Sequence, residues 1–166
     1  MIKFLSQVWP TTGNYLVAHP YGNGNGFNQV AFENIELAAK QSEMWAKQGF
    51  DCYFAIGSVS SNGQGASRKS EVVKEFRTFI LDIDCGEDKD YQTQQDAFEA
   101  LKTFITKLNL PKPILVNSGY GWHVYWTLTE SITASEWLPI AQRFKQAVAH
   151  AGLIADRTRT ADRASV

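Results

Sequence analysis

A chain of 166 residues, 44% of them hydrophobic, is long enough for one domain with a substantial core and too apolar to be disordered by default. Sixteen Lys and Arg stand against 17 Asp and Glu, a net charge of −1 at pH 7, so no global basic field draws the chain onto nucleic acid or a membrane. Two cysteines, Cys52 and Cys85, are too few for a four-thiolate zinc site and read as reduced thiols; with no signal-peptide core in MIKFLSQVWP and no long uncharged apolar run, a cytoplasmic chain outside the membrane is expected.

In chain order, Tyr21–Asn28 (YGNGNGFN) reads as a Gly/Asn loop. Phe32, Ile35, Leu37, Ala38, Met44 and Trp45 then recur at helical spacing up to Gly49, which predicts a helix ending at a glycine. Cys52–Val59 alternates as a strand, SSNGQGAS follows as a loop, and Phe76–Asp84 reads as a second strand. In that strand Phe79, Leu81 and Ile83 share one face, while Ile80, Asp82 and Asp84 share the other. Asp82 and Asp84 therefore project side by side, their Cα atoms roughly 6.6 Å apart, a separation suited to one divalent cation or a pair. Taken alone, a D-x-D also reads as two acids that close a strand and open a polar turn.

A helix is predicted from Thr93 to Leu108, before Pro111. Ile114–Asn117 and His123–Leu128 read as strands joined by SGYG, a hairpin signal. Its glycines permit a tight turn and close approach of a ligand, and His123, Tyr125 and Thr127 fall on one face of the outgoing strand. Thr133-Ala134-Ser135-Glu136 has the capping-box form, opening a helix whose stripe is Trp137, Ile140, Ala141, Phe144, Val148 and Ala149, before Gly152. The apolar Leu153-Ile154-Ala155 reads as a short strand before Asp156. The order β-β-α-β-β-α behind a leading helix predicts an α/β, or α+β, sandwich with a mixed or antiparallel sheet, in one domain over residues 1–166.

Three ordered motifs, D82-I83-D84, S118-G119-Y120-G121-W122-H123 and A155-D156, resemble those of the archaeo-eukaryotic primase superfamily, specifically the primase-polymerases of phages and plasmids. The resemblance spans roughly Tyr53 to the C-terminus. It implies an RRM-like catalytic core with flanking helices, the N-terminal module of a longer replication protein in a bacterial or archaeal host cell. It implies template-directed nucleotidyl transfer, in which Asp82, Asp84 and Asp156 hold Mg²⁺ or Mn²⁺ and His123, with Ser118, Gly119 and Gly121, meets the triphosphate. Asp162 competes with Asp156 for the third acidic role. The family often carries Ser two residues before the histidine, where this chain has Gly121, so a backbone amide is expected to act there.

A triphosphate needs further cations, and the candidates are Arg68, Lys69 and Lys74 ahead of the D-x-D strand and Arg157, Arg159 and Arg163 after Asp156; Arg68 and Lys69 are preferred, because the resemblance implies a basic residue ahead of that strand. Among the aromatics, Tyr120 and Trp122 in the hairpin turn are expected to be exposed and to stack on a single-stranded template. The implied partners are nucleoside triphosphates, a single-stranded DNA template with its primer, and a helicase or accessory domain. The competing expectation is a catalytically inactive nucleotide-, RNA- or ssDNA-binding domain of the same RRM-like architecture.

Overall fold

A short helix α1 (Ile2–Val8) buries Leu5 and Val8. In the computed structural model, which describes residues 1–22 and 26–165, α1 is followed by a hairpin of strands β1 (Tyr15–Pro20) and β2 (Phe27–Phe32). The Asn34 side chain then caps α2 (Ile35–Lys47), accepting from the amides of Glu36 at 2.7 Å and Leu37 at 3.2 Å. Gly49, at φ +86°, stands just beyond the helix end, as the sequence predicts.

Short strands β3 (Tyr53–Phe54), β4 (Gly57–Val59) and β5 (Gly63–Gln64) lead to the long β6 (Val73–Asp84). Next come α3 (Gln94–Lys107), β7 (Ile114–Asn117), β8 (Gly121–Thr133), α4 (Ala134–Ala151) and a one-turn α5 (Arg157–Thr160). One sheet has the order β3-β1-β2-β5 and the other β4-β6-β8-β7. The β1–β2, β1–β3, β2–β5, β4–β6 and β7–β8 pairs are antiparallel, so the fold is α+β. Among the described residues no helix is long and apolar enough to cross a membrane.

Several elements depart from the sequence reading. The hairpin β1–β2 was not anticipated, because Tyr15–Ala18 are buried without alternation and the two-residue period that announces a strand is absent. Of the expected Gly/Asn loop, Phe27 and Asn28 open β2, and residues 23–25 lie outside the described residues. The single strand expected over Cys52–Val59 is split: β3 pairs with β1, then the buried Ala55 and Ile56 carry the chain to β4, which pairs with β6. The short strand expected before Asp156 is not formed.

The chain divides into two compact units, residues 1–78, 128–137 and 163–166, and residues 79–127 and 138–162. The first has a core of Leu5, Trp9, Tyr15, Val17, Val30, Ala38, Ala39 and Trp45. In the same unit Trp137 is fully buried, stacks on Phe76 at 4.0 Å, and donates its indole N–H to the Thr78 carbonyl at 3.0 Å. The second unit closes around Leu81, Ile83, Leu101, Phe104, Val124, Trp126 and Val148. Its helix α3 starts at the capping box of Thr93 with Asp96, at the predicted position.

Trp137→Ala removes a buried ring, its stacking partner and a hydrogen bond at once, and is expected to destabilise the protein by about 3–5 kcal/mol. Urea unfolding followed by fluorescence checks this; a loss below about 1 kcal/mol would show that the ring is not a core element.

Candidate active site

The alternation of β6 sorts its last residues by face. Leu81 and Ile83 enter the core of the second unit, and Asp82, between them, faces the other way, partly exposed. Asp84, at the strand's end, is exposed. The neighbouring β8 obeys the same rule, with Val124 and Trp126 in the core and His123 on the opposite side, where its Nε2 is 3.6 Å from Asp82 Oδ1.

Gly121 brings these two strands together. A Cβ built on it would overlap the Ile83 carbonyl oxygen and sit 3.1 Å from the Asp84 Cα, so only glycine fits. One residue earlier the Tyr120 carbonyl accepts the Cys85 amide at 2.7 Å. The hairpin turn is braced within itself and by α3: the Ser118 amide donates to the Gly121 carbonyl at 3.1 Å and the Gly119 amide to Asn117 Oδ1 at 2.8 Å. Gln94 pairs with the Asn117 amide and donates to the Gly119 carbonyl. The Ser118 and Gly119 amides are thus committed inside the turn, and the exposed Ser118 hydroxyl is what this segment offers a ligand.

Asp156 arrives by a different device from the strand expected for it. It caps α5, with Oδ1 accepting from the Thr158 amide at 2.8 Å and hydroxyl at 2.6 Å, while Oδ2 lies 3.6 Å from Arg159 Nε. Its own amide donates to the Asp82 carbonyl at 2.7 Å, which places it beside the D-x-D strand as anticipated. Asp162 follows α5 with its amide toward the Arg159 carbonyl at 3.4 Å.

The electrostatics record this convergence. Burial holds the Asp82 carboxyl above its ordinary 3.8; His123 works against that shift, the charges of Asp84 and Asp156 add to it, and Arg159 opposes it. Burial also raises the Tyr125 phenol well above its ordinary value, and the Asp82 charge raises it further. Burial acts to raise Asp156 as well, but the Thr158 hydrogen bonds and Arg159 outweigh it and hold that carboxyl below 3.8.

Lys89, which sequence reasoning passed over, completes the group. Its Nζ is 2.8 Å from Asp84 Oδ2, in a turn closed by the Gly86 amide donating to the Tyr91 carbonyl and the Lys89 amide to the Gly86 carbonyl. The available signal was a single lysine within an otherwise acidic turn, Glu87-Asp88-Lys89-Asp90. A cavity of about 190 Å³ beside it is lined by Asp84, Lys89, Asp90, Ile154, Ala155 and Asp156.

Carboxylates are the ligand type that Mg²⁺ and Mn²⁺ prefer, and the charge crowding at Asp82 is what a cation relieves, so the donor chemistry fits a hard divalent ion. As arranged, each acid has its own partner, Asp84 in Lys89, Asp82 in His123 and Asp156 in Thr158, and among the described residues no three His, Cys, Asp or Glu side chains already form a metal-binding group. Cation binding therefore requires these carboxylates to turn from their present partners.

The remaining candidates are placed as follows. Tyr120 is 82% exposed, as expected. Trp122 departs from its expected exposure: it is half-buried, packs on Phe98 and donates its indole N–H to the Gln94 carbonyl at 3.0 Å, because it shares the core-facing side of β8 with Val124 and Trp126. Arg68, Lys69 and Arg163 belong to the first unit. There the Arg68 guanidinium lies 5.4 Å from the centre of the Phe27 ring and donates to the Ala164 carbonyl at 2.5 Å, Lys69 is exposed and Arg163 is half-buried. Comparisons with family models, curated proteins and solved structures find no match to this chain.

Two outcomes follow from this geometry. Gly121→Ala forces main chain apart at Ile83 and is expected to cost about 3 kcal/mol or more in urea unfolding; a loss under about 1 kcal/mol would contradict the close approach. Because the folded-state pKa of Asp82 is raised, its ionised form is penalised in the native state at neutral pH and the penalty fades as the pH falls toward 3.8. Asp82→Asn is therefore expected to raise Tm at pH 7 and to leave it unchanged near pH 3.5; a lowered Tm at pH 7 would refute the sign.

Proposed function

We propose that this chain is a template-directed nucleotidyltransferase of the archaeo-eukaryotic primase-polymerase kind, adding nucleotides to a primer on a single-stranded DNA template. The observation that carries this proposal is the meeting of Asp82, Asp84 and Asp156 with His123, from three separate segments of one compact unit. Nucleotidyl transfer asks a protein chiefly to position a 3′ hydroxyl against an α-phosphate and to neutralise charge. Two divalent cations, Mg²⁺ or Mn²⁺, supply that neutralisation and alignment when bound.

The chain's own residues divide the remaining work. Asp82, Asp84 and Asp156 are the cation ligands, and charge crowding primes Asp82 to accept one. His123, one strand over from Asp82 and partly exposed, donates to the triphosphate. The Ser118 hydroxyl lies in the same hairpin, and Lys89, once released from Asp84, is a flexible cation at the rim of the adjoining cavity. The exposed Tyr120 ring is available to stack on a template base.

One observation favours the second reading, a nucleotide- or single-strand-binding domain without catalysis: every acid of the group already has a partner. Extension of a labelled primer with millimolar Mn²⁺ or Mg²⁺ separates the two. Incorporation by the wild type, reduced at least about 100-fold by Asp82→Ala with Asp84→Ala while Tm stays above the assay temperature, is the expected result, since loss of both ligands removes charge stabilisation worth several kcal/mol. A Tm raised by Mn²⁺ with nucleotide in the wild type and not in the double variant is expected alongside it. Nucleotide-dependent stabilisation without incorporation would establish the binding domain instead.

A further inference from the structure

The first unit carries a surface that the carboxylate chemistry does not use. On the sheet β3-β1-β2-β5, Tyr53 pairs with Ala18, Ala18 with Gln29, and Pro20 with Phe27, so Tyr53, Gln29 and Phe27 stand on one face. The opposite face is occupied by Val17 and Val30 of the core. The Phe27 and Tyr53 rings meet edge to face at 5.6 Å, and Tyr53 is 39% exposed.

Cations adjoin this aromatic pair. The Arg68 guanidinium lies over the Phe27 ring at 5.4 Å, and the exposed Lys69 is the next residue. One Arg68 nitrogen, Nη1, donates to the Ala164 carbonyl, one of the five N–H donors of the guanidinium. Among the described residues no carboxylate lies within ion-pair distance of Arg68. Gln29, on the same face, has a buried amide oxygen without a hydrogen-bond partner.

We propose that Tyr53, Phe27 and Arg68 form a stacking platform for single-stranded nucleic acid, in which an unpaired base lies on the Tyr53 ring and Arg68 with Lys69 holds the neighbouring phosphates. The occupant follows from charge and shape. An exposed ring beside a guanidinium with no carboxylate partner among the described residues matches a base followed by a phosphodiester, whereas an apolar protein partner is poorly served by a face that also carries Gln29 and two cations. A duplex hides its base faces and does not stack there. Asp51, two residues before Tyr53, and the net charge of −1 keep the field weak, so the affinity is micromolar and falls with salt. The platform is separate from the nucleotidyltransferase proposal and stands or falls without it.

Fluorescence anisotropy with labelled (dT)20 at 50 mM salt tests it on the full chain. Tyr53→Ala is expected to weaken binding on the order of 5- to 100-fold and Tyr53→Trp to restore it to within about twofold, because stacking needs a ring and not a hydroxyl. Arg68→Gln is expected to weaken binding and to flatten its salt dependence by about one phosphate contact. A (dT)20·(dA)20 duplex is expected to bind at least about tenfold more weakly, since its base faces are occupied.

Equal binding by the wild type and Tyr53→Ala, equal binding of duplex and single strand, or no binding by the wild type overturns the platform. Should Tyr53→Ala lose its native circular dichroism, photocrosslinking of 5-iodouracil-substituted (dT)20 to the wild type decides. Adducts on Tyr53 or Phe27 support the platform, and adducts confined to other residues overturn it. Primer extension reads incorporation at the carboxylates and anisotropy reads (dT)20 binding at Tyr53 and Arg68, so failure of the polymerase assay and failure of the platform are read independently.

Discussion

The candidate site depends on one steric fact: the backbone of Gly121 lies against the Ile83 carbonyl at a distance that excludes any side chain. That contact lets the start of β8 meet the end of β6, where main-chain bonding continues through the Tyr120 carbonyl and the Cys85 amide. Once the strands are held so closely, the two-residue period of each does the rest. His123 and Asp82 emerge on the same face, and Val124, Leu81 and Ile83 close the core on the other. A side chain of any size at position 121 is incompatible with this backbone.

Close approach also creates the electrostatic problem that gives the site its character. Asp82 is partly buried next to two other acids, and the protein answers with a different partner for each: an imidazole for Asp82, a flexible ammonium for Asp84, and a helix cap with a guanidinium for Asp156. These partners differ in how readily they are given up. The exposed Asp84–Lys89 pair is screened by solvent and weakly held, whereas Asp156 is held by two hydrogen bonds from one residue. Asp84 is the acid most easily turned toward a cation, and Asp156 the one most firmly fixed in place.

Much of the second unit was legible because its signals are local. The D-x-D at a strand end, the glycines of the hairpin and the helix start near Thr93 each state their role within a few residues, and these elements formed where expected; so did the capping box at Thr133, which lies in the first unit. The first unit was less readable. Tyr15–Ala18 are buried on both faces, so β1 has no alternation to detect, and β3 and β4 are too short to be separated without knowing that Tyr53 and Phe54 pair with β1 while Gly57 pairs with Phe76. The strand expected before Asp156 failed because the apolar Leu153 turns into the core as the chain leaves α4, and the following residues are held by single bonds, from the Ile154 amide to Tyr91 and from the Asp156 amide to Asp82.

By itself the sequence determined which residues stand on which face of β6 and β8, where α3 and α4 begin, and which acids and histidine are candidates, since periodicity and capping act over a few residues. Only the tertiary structure decided that Asp156 reaches Asp82 through a main-chain hydrogen bond, that Lys89 neutralises Asp84, that Trp122 is half-buried, and that Arg68 rests on Phe27. Contacts of this kind join residues whose separation along the chain has no period. They are set by how strands and turns pack, and no local pattern encodes them.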